Sequence, residues 1–215
     1  MRLPFPFSKR HNAIEKSPEA YGTRSLTRAE LIADEIMRLF ENYGAADHNG
    51  APVSQTSHMV QCAMLAMESI SDLPVIIGAL LHDIGQLLKR EQFTEAMGDY
   101  GMINHEGIGA AYLRSRGFSE RVCTIVAHHV SAKRYLVATD RTYQRKLSPA
   151  SLKTLEWQGG PMTLEEVAAF EKQPYFLDML NVCRWDEEAK SKEAALLPAS
   201  WFRRIIWDHL TYRVQ

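Results

Sequence analysis

Cysteine is scarce in this chain. Three residues, Cys62, Cys123 and Cys183, stand far apart among 215. No zinc-ribbon or redox spacing can be drawn through them, and a sparse, odd set inside apolar helical patterns reads as buried free thiols in a reducing compartment. Long apolar runs are also missing. None approaches the ~20 residues needed to span a bilayer, so no membrane insertion is expected. Net charge is nearly absent, with 25 Lys and Arg against 26 Asp and Glu. That balance gives no general electrostatic reason to bind nucleic acid or an anionic surface, so any anion site must be local. No strand-like alternation or internal repeat is visible, and no motif bears on oligomeric state. Residues 1–25, with Pro4, Pro6 and Pro18, read as an irregular arm without the apolar centre of a secretory signal. The expectation is a cytoplasmic protein with one all-α domain over residues 26–215.

What is present is a series of helical patterns. Thr27-Arg28-Ala29-Glu30 is a capping box, followed by Leu31, Ile32, Ile36, Leu39 and Phe40 at helical spacing, with Gly44 as the stop. A second helix, starting near Ser54, puts His58, Cys62 and Leu65 on one face. Asp72 and Pro74 open a third, whose apolar run from Val75 to Leu81 leads straight into His82-Asp83, with Gly85 loosening the backbone afterwards. The charged segment Lys89–Gly101 reads as a loop or frayed helix. Asn104-His105-Glu106 begins a helix stopped at Gly117, and Ser119 caps another that delivers His128-His129 at its end. Lys146–Ser151 and Gln158–Pro161 are turn signals, and Thr163 starts a second capping box. A long pattern from Pro174 to about Lys190 carries Trp185-Asp186, and Trp201–Tyr212 reads as an amphipathic brace.

An imidazole and a carboxylate beside so many aliphatic side chains are costly unless something compensates, and a metal ion would. Alone, His82-Asp83 reads equally well as a core histidine and a helix-terminal aspartate. His58 alone also fits a hydrogen-bonded core histidine, and His128-His129 fits cations at a negative helix end. Being adjacent, at most one of that pair can face the same site as His82. Together, however, the candidates are four histidines, His58, His82, His105 and His129, and two aspartates, Asp83 and Asp186. Helix bundles build metal centres from inward side chains on facing helices. Nitrogen and oxygen ligands without thiolate suit iron, manganese or zinc. Six are too many for one open site and about right for two metals sharing a carboxylate.

These residues match the H…HD…D pattern and so resemble the HD-domain superfamily, which is helical and metal-dependent. The likeness extends to its mixed-valent di-iron oxygenases, a branch that includes myo-inositol oxygenase and the bacterial oxygenases that cleave the C–P bond of 1-hydroxyphosphonates. It is carried by Val53-Ser54-Gln55 through His58 and Gln61, and by His129-Val130-Ser131-Ala132-Lys133-Arg134-Tyr135-Leu136. Leu147–Ser151, Thr154-Leu155, Gln158–Met162 and Arg184-Trp185-Asp186 with Ala189-Lys190 complete it. The resemblance implies two iron ions, Fe(II)/Fe(III), with O2 as co-substrate. His58, His82 and Asp186 would hold one iron and His105 and His129 the other, with Asp83 as the bridge and the His82-Asp83 pair as the catalytic centre. Lys133 and Ser151 would grip the phosphonate of a small anionic substrate, the lysine as a point charge. Without the resemblance, Lys133 reads as a solvated side chain. Two positions depart from the phosphonate group's pattern: His48-Asn49-Gly50-Ala51 stands in place of its YxGE segment, and Gln86 in place of a usual histidine. His48 and Gln86 are therefore expected to shape substrate choice. Two rival readings use the same residues: a phosphohydrolase that activates water, and a metal-stabilised binding module.

Overall fold

The computed structural model describes residues 25–48, 53–70, 72–88 and 103–212. Residues 1–24 of the expected arm and the charged segment 89–101 lie outside them. The described residues form an all-α bundle, as expected, and their β pairing is an isolated bridge between Asp47 and Ser54. In chain order the helices are α1 (Arg28–Tyr43), α2 (Gln55–Ser69), α3 (Leu73–Leu81), α4 (Ile84–Leu87), α5 (His105–Arg116) and α6 (Glu120–Thr139). Then come α7 (Arg141–Lys146), α8 (Pro149–Trp157), α9 (Leu164–Phe170), α10 (Phe176–Glu188) and α11 (Arg203–Tyr212). None of the described helices is long and apolar enough to cross a membrane.

Local chemistry starts these helices where the sequence says it should. The Thr27 hydroxyl accepts the Glu30 N–H while the Glu30 carboxylate accepts the Thr27 N–H, closing the capping box of α1. Ser54, Ser119 and Ser148 each accept a backbone N–H in the first turn of α2, α6 and α8. The apolar faces then pack into two clusters. Ile36 and Phe40 of α1, Leu80 and Leu81 of α3, Leu113 of α5, Phe202 just before α11 and Ile206 within it build the first. Ala79 of α3, Ile125 and Leu136 of α6, and Met179 and Val182 of α10 build the second. Helices α2, α3 and α6 contribute to both, and burying each such side chain contributes roughly 1.5–3 kcal/mol.

Gly44 ends α1, as expected, in an ordinary right-handed conformation (φ −75°), and a Cβ there would meet the Phe40 carbonyl as well as the Thr56 hydroxyl of α2. Three local expectations need correction. Gly85 does not loosen the chain: it lies inside α4, and a Cβ would fall on the His105 carbonyl, so its role is to let α4 lie against α5. Helix α6 does not end at His129 but continues to Thr139, which removes the helix-end reading of the histidine pair. The polar stretch before Ser151 is not simply a turn, since Ser148 caps α8 and Pro149 occupies its first turn.

Candidate metal centre and anion pocket

Five elements converge on one polar cluster inside this apolar bundle. Helix α2 brings His58, α3 ends on His82, and the break before α4 places Asp83. Helix α5 opens with His105, α6 carries His129, and α10 carries Asp186. All six are buried.

The hydrogen bonds behind the rings fix their tautomers. His58 Nδ1 donates to the Ala189 carbonyl at 3.0 Å. His82 Nδ1 donates to Ala79 at 2.8 Å, and His129 Nδ1 to Val126 at 2.8 Å. A carbonyl has no hydrogen to give, so each of these Nδ1 atoms holds the proton, and in a neutral ring Nε2 is left as a bare acceptor. Yet His58 Nε2 and His82 Nε2 are 3.1 Å apart, as are His105 Nε2 and His129 Nε2. In the His58–His82 couple the two lone pairs face one another and repel unless a cation lies between them, and a proton is a poor candidate there at neutral pH because burial pushes the His82 imidazole down to about 4.

Carboxylates complete both sets. Asp186 Oδ1 lies 3.1 Å from His58 Nε2 and 3.8 Å from His82 Nε2. Asp83 turns one oxygen to each side: Oδ1 is 3.1 Å from His105 Nε2 and 3.5 Å from His129 Nε2, while Oδ2 is 3.8 Å from His82 Nε2. Burial pushes the Asp83 carboxyl up, but the surrounding imidazoles of His82, His105 and His129 outweigh it, leaving Asp83 well below the usual carboxylate range. Asp186 is also held well below that range: Lys133, His58 and His82 outweigh the effect of burial. Ligand atoms of His58, His82 and Asp83, and of Asp83, His105 and His129, form sets within 4.8 Å, the spacing a metal ion needs. The donors are thus bare imidazole nitrogens and ionised carboxylates, with outer hydrogen bonds already in place, and they fit metal cations. The nearby thiols are not in these sets: Cys62 Sγ faces the Val182 carbonyl at 3.9 Å and Cys183 Sγ the Tyr143 hydroxyl at 3.2 Å.

Beside this cluster opens a polar pocket. His48, Asp83, His105, His129, Lys133, Ser151 and Asp186 line it together with Thr154, Gln158 and Lys190. His48 stacks on His58 with ring centroids 3.6 Å apart, and its Nδ1 is 3.3 Å from Gln55 Oε1 and 3.6 Å from Asp83 Oδ2. Burial pushes its imidazole down to about 3, so it is neutral at ordinary pH. Lys133 is not a solvated side chain: it is buried, with Nζ 3.9 Å from Asp186 Oδ2. Burial pushes its ammonium down, but Asp186 and other anionic neighbours outweigh that and raise it above the ordinary lysine value, so it stays charged. Gln86 is buried on α4 but is not among the lining residues. His128 points away, its Nδ1 3.0 Å from the Thr124 carbonyl and its ring beside Phe170.

Thr154, Gln158 and Lys190 belong to the stretches that carry the resemblance, but the sequence reading does not name them as site residues. Thr154 lies three residues after Ser151 on α8 and Gln158 caps that helix, a stripe concealed when the segment is taken for a turn. The signal for Lys190 was its i+4 spacing from Asp186.

Comparison with known proteins agrees with this geometry. The HD domain model matches residues 56–171. A [1-hydroxy-2-(trimethylamino)ethyl]phosphonate dioxygenase (glycine-betaine-forming) from Leisingera caerulea is 39% identical over 74% of this chain and 80% of its own length. A hydroxymethylphosphonate dioxygenase from Gimesia maris is 36% identical over 78% of this chain and 82% of its own. Protein L432 of Acanthamoeba polyphaga mimivirus is 36% identical over 82% of this chain and 80% of its own. The fold, the paired histidines and these relatives together place the chain in the HD-domain family, within the group that includes the phosphonate dioxygenases.

Proposed function

We propose that the chain is an O2-dependent di-iron oxygenase that cleaves the C–P bond of a small 1-hydroxyphosphonate, releasing phosphate and a carboxylic acid. The observation that carries this reading is the pair of facing Nε2 couples, His58 with His82 and His105 with His129, which share Asp83. His58, His82 and Asp186 would hold one iron, His105 and His129 the other, and Asp83 both. When bound, the irons supply the Lewis acidity and the O2 chemistry. Iron, rather than zinc or manganese, is favoured by the likeness to dioxygenases, since the donor set alone suits all three.

The remaining tasks fall to the chain. Lys133 attracts the phosphonate as a buried, fully charged ammonium, and Ser151, on the same wall, offers a hydroxyl. Asp83 and Asp186, both ionised, hold Lys133 and the histidine rings in place. His48 covers the His58 side of the pocket, where its neutral ring can contact a substrate's hydroxyl-bearing end. By atom balance, a 1-hydroxyphosphonate and O2 give a carboxylate and a phosphate, each product gaining one oxygen. One all-α domain over residues 26–215 would do this work, and its three buried free thiols fit a reducing compartment.

The test is reconstitution with iron under anaerobic conditions, followed by limited O2 and low-temperature EPR with and without hydroxyphosphonates. A half-integer-spin signal perturbed by one of them, with phosphate released in proportion to O2 consumed, is the expected result. Phosphate-ester hydrolysis that proceeds without O2 would replace this reading with the phosphohydrolase.

A further inference from the structure

The pocket carries a counter-charge that the ligand cluster does not use. Glu187 follows Asp186 on α10, and its side chain is 8% exposed. One carboxylate oxygen accepts the Ser148 N–H at 2.8 Å. The other accepts the Ser151 hydroxyl at 2.7 Å and the Lys190 ammonium at 2.7 Å. Lys190 also donates to Ser151 Oγ at 2.9 Å and to Ser148 Oγ at 3.4 Å. Ser151 and Lys190 line the pocket, whereas Glu187 sits behind them. The donors that a phosphonate would seek on this wall, a hydroxyl and an ammonium, are therefore already directed at a carboxylate of the chain itself.

We propose that Glu187 is a positioning residue that sets the pocket's anion affinity, by holding the Ser151 hydroxyl and the Lys190 ammonium back from the substrate's phosphonate. This rests on the reading of the pocket as a phosphonate site. Lys190 paired with Glu187 presents a dipole to the pocket, not a net charge, and leaves Lys133 as the main attraction. Removing the carboxylate charge turns Lys190 into a second cation and returns the Ser151 proton to the pocket. Charge-assisted hydrogen bonds to phosphate oxygens are among the stronger ones available. The pairing also suits a reaction whose product is phosphate, because Lys190 freed to join Lys133 on this wall would retain it.

Orthophosphate binding to the metal-loaded protein, measured by calorimetry at one ionic strength, tests this. Glu187→Gln is expected to lower the dissociation constant for phosphate about tenfold, equivalent to one charge-assisted contact. Glu187→Asp, which keeps the charge, should stay near the original protein. Adding Lys190→Gln to Glu187→Gln should abolish the gain. An unchanged or weakened affinity in Glu187→Gln overturns the proposal, and a fall in melting temperature without tighter binding marks Glu187 as merely structural. Absence of phosphate binding in all four proteins overturns it as well. If the series behaves as expected while no hydroxyphosphonate is turned over, the oxygenase reading fails and the role of Glu187 stands. Turnover with phosphate affinity indifferent to Glu187 is the reverse case.

Discussion

The Nε2 atoms of His58 and His82 meet at 3.1 Å while both Nδ1 protons are committed to backbone carbonyls. Such an arrangement is repulsive without a cation and cohesive with one. Removing metal with a chelator is therefore expected to lower the melting temperature by roughly 5–10 °C, the size of stabilisation given by a ligand at about 100 times its dissociation constant. Restoring iron should restore it. A chelated protein that melts where the loaded one does would contradict the cation-holding role of these rings.

Asp83 addresses the two halves of the cluster with different oxygens. Asp83→Asn keeps the shape and removes the charge. Elemental analysis should then find a drop from about two ions per chain to about one or fewer. Two tightly held ions in the variant would show that the carboxylate is not the bridge.

Lys133 is buried and keeps its charge next to Asp186. Truncating it to alanine should raise KM for a hydroxyphosphonate about 10- to 100-fold, the value of one hydrogen bond to a charged group. Lys133→Arg is not expected to rescue it, because a planar fork does not fit where a point charge sat. Steady-state kinetics decides the matter, with retained affinity counting against the anion-gripping role.

Gly85→Ala places a methyl group on the His105 carbonyl. The clash is with backbone, so α4 and α5 must part, at a cost of about 1–3 kcal/mol or more. Urea titration reads the loss directly. Metal content should fall with it, because His105 opens α5. A variant as stable as the original would mean that the two helices have room to spare.

His209 of α11 accepts the N–H of Ser119, the cap of α6, at 3.1 Å and stacks on Phe118. Burial pushes its imidazole down to about 4 from an ordinary 6.5. Between those values the unfolded chain takes up a proton that the folded one refuses. The stabilisation is complete above pH 6.5 and is lost as pH falls towards 4, amounting to about 3 kcal/mol. Thermal melts of the original and of His209→Gln at pH 7 and pH 4.5 isolate this contribution, since His48 and His82 titrate in the same direction in both. Equal losses in the two proteins would remove His209 from the account.

Much of this architecture was legible in the residues. Thr27 with Glu30, Ser54 and Ser119 announce their helices because capping is local chemistry, and His58 announces its inward face through apolar neighbours at helical spacing. What escaped was non-local. The reason for glycine at 85 is the carbonyl of His105, twenty residues away in sequence, and no window around Gly85 contains it. Glu187 carries no signal in its own stretch of sequence because its partners Ser148 and Ser151 belong to another helix. The length of α6 was missed because His128-His129 and Lys133-Arg134 are polar, and polarity mid-helix reads as an ending unless a buried site claims those side chains.

The break between α3 and α4 has a consequence for how this cluster can vary. His82 closes α3 in a helical conformation, but Asp83 leaves it, with φ −101° and ψ 14°. Were α3 wound one residue further, the Asp83 side chain would follow the helix to a direction about 100° from that of His82. Two neighbours in sequence can therefore serve one cluster together only because the winding stops between them. The spacing of the two histidine couples is in this sense a matter of helix length, adjustable by residues outside the cluster.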